Sequence, residues 1–121
     1  MDPRKHKSDE VGDEPLLMSE FTSVWVSKRR KNGIAAAEKA GAQVVLLDDG
    51  FQDPSFHKDF SILVVDGTRG FGNKKCLPAG PLRENIFQGF KRADALVIVG
   101  SSLYRFDTFP SHLKVIRSTL K

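Results

Sequence analysis

Cysteine occurs once in these 121 residues, at Cys76. A single thiol excludes an internal disulfide and any zinc site made from cysteine alone, and it fits a reducing, cytosolic compartment. No apolar run approaches the roughly 18–20 residues of a membrane span, and Met1 to Glu14 is too charged for a signal peptide. Any membrane contact by these residues is therefore expected to be peripheral. The phosphate-cradling pattern G-x-x-x-x-G-K-[S/T] is missing as well: Gly70-Phe71-Gly72 does not fit it and does not open a helix.

With 40% hydrophobic content, the chain is long enough for one small core and no more. Residues 1–10 have no apolar periodicity and read as a disordered lead, leaving 11–121 as a partial α/β domain. The formal charge of +4 suits an anionic ligand or membrane surface without requiring either. Nothing in the composition asks for a nucleic-acid partner.

The most informative run is Val44-Val45-Leu46-Leu47-Asp48-Asp49-Gly50-Phe51-Gln52. Four consecutive Val/Leu residues predict a short strand buried on both faces of a parallel sheet. Ligands in open α/β sheets bind beyond the carboxyl ends of strands, where Asp48 and Asp49 would stand. A hydrophobic strand ending in acid is also the pattern that holds Mg²⁺ in nucleotide kinases. The alternative is that the two acids solvate a strand end and start a turn with Gly50.

Around this run the spacing predicts further elements. Asp13 is expected to cap a helix with Pro15 in its first turn, or to face the crevice as a base or metal ligand. Val24–Val26 reads as a strand and Lys28–Lys31 as a basic run, either a solvated helix start or an anion patch. A helix over Asn32–Ala40, ended by Gly41, would return the chain to the Asp48 strand and complete a βαβ unit. Ser61–Gly67 and Ala95–Gly100 are expected to be further buried strands, with Asp66 as turn former or metal ligand and His57 as surface residue or acid/base. Residues 67–83, with four glycines and two prolines, form a long loop of the kind that is usually either functional or disordered. A helix starting near Pro81 and running to about Arg92 would bury Leu82, Ile86, Phe87 and Phe90. Residues 106–121 are ambiguous.

Five motifs in order carry a resemblance: Gly12-Asp13-Glu14-Pro15, Asp48 to Gln52, Arg69-Gly70-Phe71-Gly72-Asn73, Leu77 to Glu84, and Arg92-Ala93-Asp94-Ala95. Together they resemble the tetraacyldisaccharide 4'-kinase family, the lipid A 4'-kinases, over about residues 11–100. The resemblance implies a partial P-loop-NTPase-like α/β fold, a parallel sheet flanked by helices. It also implies a kinase of the inner membrane's cytoplasmic face that moves the γ-phosphate of ATP to the 4'-hydroxyl of a lipid A disaccharide precursor. On that reading Asp13 is the catalytic base, Asp48 and Asp49 sit near Mg²⁺, and Arg83 and the Lys28–Lys31 run are candidates to meet substrate phosphate or anionic lipid. Phosphoryl transfer asks mainly for positioning and charge neutralisation, which carboxylate-held Mg²⁺ provides.

The sequence also departs from the family pattern. An amino-terminal membrane-anchoring helix and a Walker A loop are expected ahead of Gly12, and a second half with a further histidine after residue 121. Asp53 replaces a common histidine, and Lys74 a glycine. The chain is thus expected to be an internal piece with no ATP-phosphate cradle, inactive alone, soluble if expressed alone, and open to a complementing kinase fragment. A non-catalytic lipid- or partner-binding module, and a phosphohydrolase with Asp48 as nucleophile, are the competing readings.

Overall fold

Ala95–Val99 (β2) is an unbroken apolar strand with a neighbour on each edge, and that placement is why it is the most deeply buried element. Ile62–Asp66 (β1) pairs with it in parallel, Ile62 opposite Ala95. Lys114–Ser118 (β3) pairs in parallel on the other side, Ala95 opposite Lys114. The structure, a computed structural model, describes residues 11–101 and 109–119. The expected lead at 1–10 and part of the ambiguous 106–121 segment lie outside the described residues.

Paired residues of a parallel ladder share a face. Leu63, Val65, Leu96 and Ile98 therefore line one face, with Val65, Leu96 and Ile98 buried. On the opposite face Ile62, Val64 and Ile116 are exposed. Parallel sheets usually bury both faces, so the expectation of a fully buried 61–67 strand is corrected: β1 is an edge strand, hidden on one side only. Asp94 aligns the three strands at their amino ends. Its carboxylate accepts from Ser61 N at 2.7 Å, and its carbonyl accepts from Lys114 N at 3.1 Å.

Two compact units divide the chain, Met1–Phe56 and His57–Lys121. The sheet and almost all buried apolar side chains belong to the second. Its helix, Ile86–Arg92 (which we call α3), starts later than Pro81 because Asn85 caps it, its side chain accepting from Phe87 N at 2.9 Å. Phe90 is buried, edge-on to Phe71 at 5.5 Å and to Phe109 at 5.9 Å, whereas Phe87 faces out.

The first unit holds helices Asp13–Met18 (α1) and Arg30–Lys39 (α2). Gly41, at φ 90°, ends α2 as expected: Gly41 N donates to Glu38 O and Ala42 N to Ala37 O, the paired bonds of a glycine-terminated helix. The cap of α1 is Gly12 rather than Asp13, which is the first helical residue. The strands expected at Val24–Val26 and Val44–Leu47 are not formed, so neither is the βαβ unit. An apolar run becomes a strand only within a ladder, and the ladder formed among the described residues is made by 62–66, 95–99 and 114–118. No helix there is long and apolar enough to cross a membrane.

Candidate active site

Asp48 and Asp49 leave the extended 44–47 run on a turn, both exposed. Asp49 adopts φ 52°, a left-handed conformation that aspartate tolerates better than most side chains. Arg30, the first residue of α2, braces this turn. Its Nη2 donates to Asp49 O at 3.2 Å while Nη1 lies 3.7 Å from the Asp53 carboxylate. The planar guanidinium fork makes such a two-point hold natural. Asp53 in turn accepts from Ser55 N at 2.9 Å, so its carboxylate meets both Arg30 and the backbone that follows it.

Exposed carboxylates are the ligand type that a hard cation takes. Mg²⁺ is usually held by one or two carboxylates, the remaining positions filled by water and substrate phosphate. Asp48 and Asp49 are two adjacent carboxylates of the kind that could hold such an ion. Among the described residues no three His, Cys, Asp or Glu side chains gather as a metal-binding group, so Asp13 does not complete a cage with them. Asp13 stands exposed on the first turn of α1. The 121 residues contain no glycine–lysine phosphate cradle.

Arg83 belongs to the second unit, exposed at the end of the 67–83 loop. That loop is stapled to itself. Leu77 N donates to Leu82 O at 2.8 Å, Leu82 N to Lys75 O at 3.2 Å, and Asn73 Nδ2 to Ala79 O at 2.8 Å. Gly80 is required: a Cβ there would collide with Asn73 Oδ1 and the Lys75 carbonyl oxygen. Of the two readings of Asp66, the turn former is the one observed. Its Oδ1 accepts from Thr68 N, Thr68 Oγ1 and Arg69 N. These bonds, the Thr68 hydroxyl's first, hold its carboxyl below the usual aspartate range. His57 is exposed with Nδ1 3.6 Å from the Asp59 carboxylate, a surface arrangement.

Reading by residue type alone missed Arg30, Asn73, Gly80 and Asp94. Three of them lie inside the quoted motifs, which is the signal that pointed at them; Arg30 was hidden in a basic run.

A sequence model of the tetraacyldisaccharide-1-P 4'-kinase family matches residues 1–120. The chain is similar to the tetraacyldisaccharide 4'-kinase of Dinoroseobacter shibae, 54% identical over 109 residues, 88% of this chain and 32% of that protein. It is similar also to that of Rhodospirillum rubrum, 50% identical over 115 residues, 94% and 35% of the two chains. For Hyphomonas neptunium the identity is 40% over 120 residues, 99% and 36%. The chain thus spans about a third of the length of these relatives. No solved structure matches it. Five ordered motifs, a parallel α/β sheet and a match running almost end to end make the chain a member of the tetraacyldisaccharide-1-P 4'-kinase family.

Proposed function

We propose that this chain is the part of a lipid A 4'-kinase that brings acidic and substrate-facing residues to phosphoryl transfer at the cytoplasmic face of the inner membrane. Asp13 accepts the proton of the 4'-hydroxyl of a lipid A disaccharide precursor, Asp48 and Asp49 hold Mg²⁺ on the turn braced by Arg30, and Arg83 meets the anionic substrate. Mg²⁺–ATP, when bound, supplies the phosphoryl group and neutralises its charge. The observation that carries the reading is the family match over residues 1–120. On this reading the phosphates of ATP are held by residues outside these 121, which contain no G-x-x-x-x-G-K-[S/T] pattern, and the 121 residues taken alone turn over little without a complementing segment.

The test is a chimera in which residues 11–101 replace the matched segment of the Dinoroseobacter shibae kinase. The chimera is expected to phosphorylate the 4'-position, and Asp13→Asn to lower its kcat by roughly 10²-fold or more. An active chimera indifferent to Asp13→Asn overturns the assignment, and full turnover by the isolated chain overturns the need for a complementing segment. The second reading is a non-catalytic lipid- or partner-binding module. An inactive chimera that folds and binds lipid would select it.

A further inference from the structure

We infer that the loop Gly67–Arg83 is the surface through which this chain meets an anionic lipid bilayer. Of the chain's 19 basic and 15 acidic residues, this segment carries four of the basic ones, Arg69, Lys74, Lys75 and Arg83, and none of the acidic ones. The segment thus carries a charge of +4 with no acid of its own to offset it, as the Lys28–Lys31 run does, but only this segment joins its cations to an exposed apolar tip. All four cations are exposed.

The loop is held in shape before it meets anything. Leu82 N bonds to Lys75 O, Leu77 N to Leu82 O, and Ala79 N and Gly80 N both to Cys76 O, so the chain doubles back, with Leu82 bridged to Cys76 and Arg83 following it. At its turn stand Leu77, 65% exposed, and exposed Pro78 and Ala79. An apolar tip flanked by cations is the combination that a bilayer surface rewards, the tip entering the headgroup boundary and each cation meeting the negative surface potential. A single-stranded nucleic acid would instead need exposed rings for stacking, and the loop's only aromatic, Phe71, is edge-on to buried Phe90. The inference deepens the kinase reading, resting on it for a lipid-borne acceptor, while the charge and shape of the loop stand independently.

The experiment is sedimentation of the 121-residue chain with vesicles of phosphatidylcholine, with and without phosphatidylglycerol. Binding is expected only with phosphatidylglycerol and is lost as salt rises. Lys74→Gln with Lys75→Gln should weaken it more than tenfold, from a contribution near fivefold per cation. Leu77→Asp should weaken it several-fold, and the pair Lys28→Gln, Lys31→Gln less than twofold. Equal binding to phosphatidylcholine alone, indifference to Lys74 and Lys75, or an equal loss from Lys28 and Lys31 overturns the inference. So does release by inorganic phosphate beyond that by chloride of equal ionic strength, which would mark a phosphate site, or tighter binding to an oligonucleotide than to vesicles. None of these outcomes touches the chimera's kinase activity, so the two readings fail separately.

Discussion

Val44–Leu47 and Leu96–Val99 are nearly the same peptide in composition, and they end in opposite situations. Leu96 has 0% exposure as the middle of a three-stranded ladder, while Leu46 is 88% exposed with no ladder partner among the described residues. The contrast extends to the units that contain them. Among the described residues, the buried apolar side chains of Met1–Phe56 come down to Ala37, whereas Val65, Phe90, Ala93, Ala95, Leu96, Ile98 and Leu113 lie in His57–Lys121. An apolar run thus specifies the capacity to be a central strand, and neighbouring strands decide whether that capacity is used.

The widest gap is expected when the two runs are truncated alike. Leu96→Ala should cost about 2–5 kcal/mol by emptying a buried site, whereas Leu46→Ala should stay within about 0.5 kcal/mol, as at other exposed positions. Urea unfolding followed by far-ultraviolet circular dichroism measures both. Comparable losses at the two positions would mean that residues 44–47 are buried in solution. Amide exchange gives the same contrast without mutation, with protection at residues 96–98 and little at 44–47.

A smaller effect, about 1–3 kcal/mol, is expected from Gly80→Ala, because the new methyl meets the Lys75 backbone and not merely the end of a flexible side chain. The Asn73 side-chain bond to Ala79 O must then give way. Proteolysis within residues 73–82 should quicken. Unchanged cleavage and stability would show that the knot is not tightly closed.

Loss of the Asp94 carboxylate comes next. Asp94→Ala removes the bond to Ser61 N while keeping the backbone bond to Lys114 N, so about 1 kcal/mol is expected from one exposed hydrogen bond. Exchange should rise first at Ser61, at the start of β1. A loss spread evenly over all three strands would contradict the local role.

These residues also mark how far the sequence could be read. The strands at 62–66 and 95–99 were legible because several consecutive apolar residues are bounded by turn formers, and the end of α2 because only glycine sits comfortably at Gly41's φ of 90°. The false strands at 24–26 and 44–47 obey the same local rule, and pairing, which decides between them, is non-local. At the site, Asp48 and Asp49 were visible as residue types. Their brace was not, because Arg30 lies 19 residues earlier and only folding brings its guanidinium to Asp49 O. The sheet's clasp at Asp94 was hidden for the same reason, its partner Ser61 being 33 residues away.

The smallest expected effect separates the turn after β1 from the paired strands beside it. Asp66 accepts from the Thr68 hydroxyl, the Thr68 amide and the Arg69 amide, and these bonds favour its charged form, lowering its pKa in the folded chain. A folded value below the unfolded one means the contribution is fully present above the unfolded value and is lost as pH falls through the folded value. Acid should therefore loosen the Gly67–Gly70 turn before it opens the β1–β2 ladder, whose bonds join backbone groups that do not titrate. Because Asp66 is exposed, the change in global stability is expected to be slight. A carboxyl-detected NMR titration of Asp66 checks this: its midpoint should lie below the ordinary aspartate range and move up in Thr68→Val, which removes the largest cause. A midpoint at the ordinary value in both proteins would mean that the turn's bonds do not persist in solution, and that order in this unit stops at the end of its ladder.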